Sequence, residues 1–300
     1  MNDGALDAWE ALERASFRRT WLGRRLVVTD GPGRRAQVAL WGFVHVLWAA
    51  GDLRAAGHGV PLRELTGLIE PYRRGGGFAA KPRTHPRYLD DNAWLGLVAL
   101  DLGDRSLAAS ILAFVRTGEH PDGGVRWVEG GPSRNTCSTA SAAWLAARLG
   151  DRDTATRWMD WLDATLRDTH GLYADRIDGD RVDPTIWSYN QGAPAAALRA
   201  LGRDRDAVAT ERASLAVFDG ERLWHEPPPF AAIWFRALGV PTAETRDVHR
   251  RYAERLLAEG RDPATGLFTG GGLGTYDGTT TIDQAAVVQL LEMAPTNPNP

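Results

Sequence analysis

Asp90 and Asp91 stand side by side at the head of an otherwise apolar run, Tyr88-Leu89-Asp90-Asp91-Asn92-Ala93-Trp94-Leu95-Gly96-Leu97. Adjacent carboxylates against that background are costly unless solvated, paired or used. An acid at a helix start satisfies free backbone N–H groups and suits the helix dipole, so Asp90 taken alone reads as an N-cap. One cap needs one acid, which leaves Asp91 to be explained. Glycosidases use two carboxyls, one to protonate the leaving oxygen and one as nucleophile or base, and a separation of about 5 to 5.5 Å gives retention of configuration. Neighbouring Cα atoms lie about 3.8 Å apart, and two diverging Asp side chains reach that separation. The two groups must also differ in protonation. Like-charge repulsion pushes one pKa up, while helix-end N–H groups hold the other down.

Other chemistries fit less well. A magnesium-diphosphate site on a helical protein wants a third acid one turn on, where Trp94 and Leu95 stand instead. Gly75-Gly76-Gly77 and Gly270-Gly271-Gly272 lack the strand before and the Lys-Ser after that make a phosphate loop, and read as plain loops. No metal or other cofactor is expected. The single Cys137 excludes an internal disulfide and a Cys-based zinc site, and its setting, Asn135-Thr136-Cys137-Ser138-Thr139-Ala140, reads as a small buried residue. A net charge of -3 gives no general attraction to nucleic acid or an anionic membrane. Residues 1–21 carry four acids and no basic-then-apolar leader, so the chain as written is expected in the cytoplasm, or secreted if a leader was removed. The longest apolar stretch, Val38 to Gly51, is too short to span a bilayer and reads as a buried helix with His45 as a satisfied core residue.

The elements that must position the acids are helices. Apolar periodicity predicts them over 5–20, 34–50, 61–73, 89–102, 104–117, 134–149, 151–167, 188–201, 203–217, 229–238, 244–259 and 281–293. Alternate joints are tight and Gly-centred: Ala50-Gly51-Asp52, Leu102-Gly103-Asp104, Leu149-Gly150-Asp151, Leu201-Gly202-Arg203 and Leu238-Gly239-Val240. The intervening joints, 21–33, 74–88, 118–133, 168–187, 218–228 and 260–280, are long and rich in Gly, Pro and Trp. A hairpin repeated about every 50 residues must stack to bury a continuous core. Even-numbered helices are apolar on most sides and odd-numbered ones on one side, which suits an inner and an outer layer. The expected fold is therefore all-α, an (α/α)6 toroid or barrel of six helical hairpins, with a helical solenoid as the rival. A single catalytic domain is expected over 1–300, with a short disordered tail from about 294.

In such a ring the inner helices all begin on the long-loop face, bringing Asp90, Asp91, Asn135, Thr136, Ser188 to Gln191, Pro229, Phe230 and Thr279 to Asp283 to one mouth. Of the 12 Trp residues, Trp127, Trp187 and Trp224 fall in the long joints and are candidates for a binding face. Aromatic faces beside Asn, Gln and Asp make the surface that a pyranose binds, and the mouth reads as a carbohydrate cleft.

The motif around the acid pair resembles that of glycoside hydrolase family 76, the endo-α-1,6-mannanases. Gly123-Gly124-Val125-Arg126-Trp127 is similar to the family's Gly-Gly-x-x-Trp loop, Asn135-Thr136-Cys137-Ser138-Thr139 to its Asn-led inner helix, and Trp187-Ser188-Tyr189-Asn190-Gln191-Gly192 to its Tyr-Asn-Gln-Gly block. The blocks follow in the family's order over about residues 85–240. The resemblance implies an (α/α)6 barrel and a metal-free retaining mechanism, with Asp90 as nucleophile and Asp91 as general acid/base. It further implies an oligo- or polysaccharide α-mannoside substrate; charge and apolar length add the expectation of no nucleic-acid partner and no membrane insertion. Substrate contacts are expected from Tyr88, Trp94, Trp127, Asn135, Asp175, Trp187, Tyr189, Asn190 and Gln191, with Asn135 alternatively a helix cap and Asp175 alternatively a surface loop acid. Two positions depart from the family. Leu89 stands where an aromatic is frequent, and Pro229-Phe230-Ala231-Ala232 replaces a Phe-Lys-Gly block, removing a cation. Two alternatives stay open. A sugar epimerase or isomerase on the same toroid would use cavity histidines, here His85, His120, His170 or His225, and a non-catalytic relative would keep the cleft alone.

Overall fold

The computed structural model describes residues 3–19, 26–238, 242–269 and 280–295. Its helices are α1 (Asp3–Ser16), α2 (Leu40–Ala55), α3 (Leu62–Gly67), α4 (Leu89–Asp101), α5 (Arg105–Arg116), α6 (Thr136–Leu149), α7 (Arg152–Thr165), α8 (Tyr189–Ala200), α9 (Asp204–Val217), α10 (Glu221–Trp224), α11 (Pro228–Ala237), α12 (Ala243–Arg255) and α13 (Thr281–Glu292). Short strands decorate the loops: β1 (Phe17–Arg19), β2 (Leu26–Val28), β3 (Arg73–Arg74), β4 (Gly77–Phe78), β5 (Arg134–Asn135), β6 (Arg176–Asp178) and β7 (Arg181–Asp183). The class is all-α, as expected. Two compact units divide the chain: Tyr72–Phe218 with Arg236–Gly239, and Met1–Pro71 with Asp219–Phe235 and Val240–Pro300.

In the first unit α6 packs between α4 and α8. All three are buried along nearly their whole length. Their partners α5 and α7 bury one face only, Ala108, Ile111, Leu112, Phe114 and Val115 on α5 and Thr154, Ala155, Trp158, Met159 and Leu162 on α7. Gly96 sets the approach of α4 to α6, because a Cβ there would lie 2.5 Å from Leu145 Cδ2. In the second unit α13 packs on α2 and α1. His45 is fully buried there and meets Gln289 Nε2 at 2.9 Å through Nδ1.

The tight joints repeat one piece of chemistry. Gly103 and Gly150 leave their helices at φ 85° and 93°, a region that glycine enters at little cost. The Asp that follows caps the next helix, with Asp104 Oδ1 accepting from Leu107 N at 2.9 Å and Asp151 Oδ1 from Thr154 N at 3.4 Å. The Arg after it crosses to the next hairpin and donates to free carbonyls at a helix C-terminus. Arg105 reaches Leu149 O at 2.7 Å and Arg152 reaches Leu201 O at 2.6 Å. A guanidinium there satisfies orphan acceptors and opposes the negative helix end.

The long joints are tied down by a second repeated device. Near the starts of four buried helices, α4, α6, α8 and α13, polar side chains grip both the N–H and the C=O of one loop residue. Asn92 Oδ1 accepts from Phe78 N at 2.8 Å while its Nδ2 donates to Phe78 O at 2.9 Å. Gln191 does the same to Tyr173 at 2.8 and 2.9 Å, and Gln284 to Phe268 at 2.9 and 2.8 Å. On α6 two hydroxyls share the task, Thr139 Oγ1 accepting from Val125 N at 2.9 Å and Ser138 Oγ donating to Val125 O at 2.8 Å.

Several expected boundaries are corrected. Residues 17–19 pair as β1 with β2 instead of continuing the first helix. The second helix begins at Leu40, because Ala36 O and Val38 N are bonded to Asp30 N and Val28 O. It also runs through Gly51 to Ala55, so Gly51 is no C-cap. The third helix stops at Gly67 and resumes only as a 3-10 turn over Glu70–Tyr72, where Pro71 lacks an N–H to continue it. The Gly239 turn, the Gly270–Gly272 loop, Thr279 and the tail from 296 lie outside the described residues.

The loop clamps carry a measurable energy. Gln284→Leu leaves the Phe268 N–H and C=O buried and unpaired, and urea unfolding is expected to give a loss of about 3 kcal/mol.

Candidate active site

The acid pair sits in the first turn of α4, but not as caps. The N-cap is Tyr88, in extended conformation (φ −83°, ψ 133°), and its side chain makes no capping bond. Asp90 is the second helical residue, and its Oδ1 accepts from the N–H of Asp91 at 2.9 Å. Oδ2 takes two more donors, Trp127 Nε1 at 3.0 Å and Cys137 Sγ at 3.4 Å. Asp91 is 8% exposed, and among the described residues no side chain hydrogen-bonds its carboxyl.

Neighbouring residues therefore have unlike environments. Burial raises the pKa of Asp90 to about 6, against the N–H of Asp91, the Cys137 thiol and the Trp127 indole, which all pull it down. Burial raises Asp91 well above the ordinary carboxylate range, and the charge of Asp90 pushes it the same way. Of the two, Asp90 is set to ionise first and Asp91 to keep its proton longer. One group can attack or stabilise positive charge while the other donates, the division of labour that the sequence called for.

Trp127 reaches Asp90 because its loop is fixed at several points. Gly123 and Gly124 lie flat on the Trp161 ring, where a Cβ would come within 2.4 and 2.5 Å of ring atoms. Val125 is held by the hydroxyls of α6. Trp127 itself donates its N–H to Ser133 O at 2.9 Å and accepts from Leu89 N at 2.8 Å. Its indole is 41% exposed, with the Tyr88 ring 4.9 Å away at 48°. Together they offer an aromatic face beside the carboxylate.

A second set of groups comes from the start of α8 and the loop before it. Sheet β5-β6-β7 pairs Asn135 with Arg176, and Thr136 N donates to Asp175 O at 2.8 Å, which draws Asp175 to the head of α6. Asp175 is 6% exposed, so it is no surface acid. It accepts from Asn190 Nδ2 at 3.0 Å and pairs with Arg176 Nη1 at 3.1 Å. Burial raises its pKa, while Asn190 and Arg176 oppose the rise. Tyr189 is half-buried at the first position of α8, where burial and the nearby charges of Cys137, Asp175 and Asp90 raise the pKa of its phenol.

Other candidates take different tasks. Gln191 is fully buried and spends its amide on Tyr173 and, at 3.0 Å, on Trp187 O, so it fastens main chain instead of facing a ligand. Trp94 is 1% exposed and belongs to the core. Trp224, 6% exposed, lies under the Arg255 guanidinium at 4.3 Å and is not a free binding face. Asn135 occupies the N-cap position of α6 without a capping bond, and its Oδ1 accepts from Ser133 Oγ at 2.5 Å. Trp187 is half-buried on the loop, its carbonyl taken by Gln191. His85, His170 and His225 are exposed, and His120 supports a turn by accepting from Asp122 N at 3.1 Å. Sequence reasoning missed Cys137, whose neighbours mark a helix start but whose thiol faces the carboxylate.

Residues 72–202 match the family model described as Glycosyl hydrolase family 76, bearing out the resemblance read from the motifs. No curated protein sequence matches the chain. Among solved structures, a family 76 glycoside hydrolase from a bovine Bacteroides thetaiotaomicron strain superposes with a TM-score of 0.81 at 18% identity, covering 97% of this chain and 76% of that one. A family 76 α-mannanase of Bacteroides thetaiotaomicron gives 0.81 at 18% identity, covering 97% and 94%. An α-1,6-mannanase of Salegentibacter sp. HEL1_6, an inactive variant with two adjacent Asp-to-Asn changes in complex with α-1,6-mannotriose, gives 0.76 at 20% identity, covering 97% and 98%. The likeness shows the fold, a helical toroid of the (α/α)6 class expected from the hairpins. The match and the likeness together support a glycoside hydrolase.

The raised carboxyls cost stability in a pH-dependent way. Below about pH 4 both folded and unfolded chains hold these protons; as pH rises the unfolded chain releases protons that the native state keeps, and stability falls through the window up to the folded values. Asp91→Asn removes that cost at one position. Urea unfolding is expected to show the variant more stable than wild type at pH 8, with the difference fading by pH 4.

Proposed function

We propose that this chain, matched by the family 76 model over its central 131 residues, is a retaining glycosidase that cleaves α-1,6-linked mannosides, with Asp90 as nucleophile and Asp91 as general acid/base. The observation that carries the reading is the unlike pair: an Asp90 carboxyl fixed by three donors beside a buried Asp91 carboxyl with no side-chain donor among the described residues. The Salegentibacter mannanase adds support, since the variant that holds α-1,6-mannotriose is inactive through changes at two adjacent aspartates.

In the first step Asp91 gives its proton to the glycosidic oxygen as Asp90 attacks the anomeric carbon from the opposite face. The C–O bond to the leaving sugar breaks, and a β-linked glycosyl ester forms on Asp90. Asp91, now ionised, takes a proton from water, which attacks the same carbon and returns the α-anomer with Asp90 released. Positive charge on the sugar ring in both transition states is met by Asp90 and by the exposed aromatic face of Trp127 with Tyr88. Asp175, held by Asn190 and Arg176, is suited to bind sugar hydroxyls. The exposed or turn-bound positions of the four histidines favour this reading over an epimerase.

Incubation of wild type with α-1,6-mannotetraose, followed by NMR, is expected to give the α-anomer as first-formed product. Asp90→Asn is expected to lower kcat at least about a thousandfold. Asp91→Asn is expected to lose the mannooligosaccharide but to cleave an aryl α-mannoside whose leaving group needs no proton. The kcat/KM profile should have its acid limb near pH 6, set by Asp90. A β-anomeric product, or an active Asp90→Asn protein, would overturn the assignment.

A further inference from the structure

Cys137 is 1% exposed at the second position of α6, and its Sγ lies 3.4 Å from Asp90 Oδ2. Tyr189, the first residue of α8, lies close enough for the charges of Cys137 and Asp90 to act on its phenol. Helices α6 and α4 thus meet at the carboxylate through the thiol. We propose that Cys137 is a positioning residue for Asp90, its S–H donating to Oδ2, so that α6 fixes the direction in which the carboxylate faces.

The contact has one sense only. Asp90 as a carboxylate is an acceptor, so the thiol must donate to it. Burial and the nearby charges of Asp90 and Asp175 keep the thiol protonated, and the same influences keep the Tyr189 phenol protonated. The titratable groups that face Asp90 are Asp91 on its own helix, Cys137 on α6 and Tyr189 on α8, with Asp175 and its partner Arg176 beyond them. Trp127 holds the same oxygen but comes from a loop. A thiol is a weak donor. It therefore restrains the rotation of the carboxylate while withdrawing less charge from the attacking group than a hydroxyl or amide N–H would.

The kinetic part of the test rests on the glycosidase reading, and a second part does not. In protein labelled at the aspartate carboxyl carbon, the Asp90 signal, identified by its loss in Asp90→Asn, is titrated by NMR in wild type, Cys137→Ala and Cys137→Ser. Cys137→Ala is expected to move the Asp90 titration up by about half to one unit, and Cys137→Ser to bring it back to the wild-type position or slightly below. On α-1,6-mannotetraose, Cys137→Ala is expected to lower kcat ~10-fold with KM nearly unchanged and to move the acid limb up, with Ser recovering both. A residue that only fills space would lower the melting temperature and leave the titration alone. Wild-type titration in Cys137→Ala, or a Ser variant that titrates like Ala, overturns the proposal. Absence of hydrolysis by wild type counts against the glycosidase reading, and the titration still decides the role of Cys137.

Discussion

Main-chain hydrogen bonding is the constraint on which the structure depends. A helical protein with long connections must bury peptide groups that have no helix or sheet of their own, and an unpaired buried N–H or C=O costs about as much as a lost hydrogen bond. Here the partners are side chains at the starts of the buried helices: Asn92, Ser138 with Thr139, Gln191 and Gln284. Each one closes a two-way bond with a single loop residue, as a neighbouring strand would, and so fixes both the position and the facing of that loop. Trp127 arrives at Asp90 because Val125, two residues earlier, is held in this way.

The acid pair lives on what that scaffold leaves over. The first turn of a helix offers free N–H groups and partial positive charge, which suit one carboxylate. Asp90 takes that benefit through the Asp91 N–H and adds two side-chain donors, whereas Asp91, deeper and without a donor, keeps its proton. Adjacency in sequence thus produces asymmetry in charge, because successive residues on a helix point about 100° apart and meet different neighbours. The penalty for holding two raised carboxyls falls on global stability, which the close packing of α4, α6 and α8 supplies.

Much of this was legible in the sequence, and the failures are instructive. The Gly turns at 103 and 150, the apolar buried helices and the Asp90–Asp91 pair were readable because each has a local cause: a positive φ, a packing face, a repulsion. Gln191 was misread as a sugar contact since an amide at a helix start looks the same whether it faces a ligand or the backbone of a loop 18 residues away. Trp94 and Trp224 were misjudged for a related reason, as sequence gives a ring's neighbours along the chain but not which side it turns to. Strands of two or three residues carry too little alternation to read. Cys137 reads as an inert buried residue from its small neighbours, because the acid it meets lies 47 residues away.

The loop clamps bear on how such a fold can change. Asn92, Gln191 and Gln284 grip peptide atoms and are indifferent to the side chain that those atoms carry. The clamped positions here already hold Phe78, Val125, Tyr173 and Phe268, a range of shapes served by one device. Each clamped joint therefore behaves as a replaceable cassette with a fixed fastening. Its length and residues can drift without disturbing the helix that holds it.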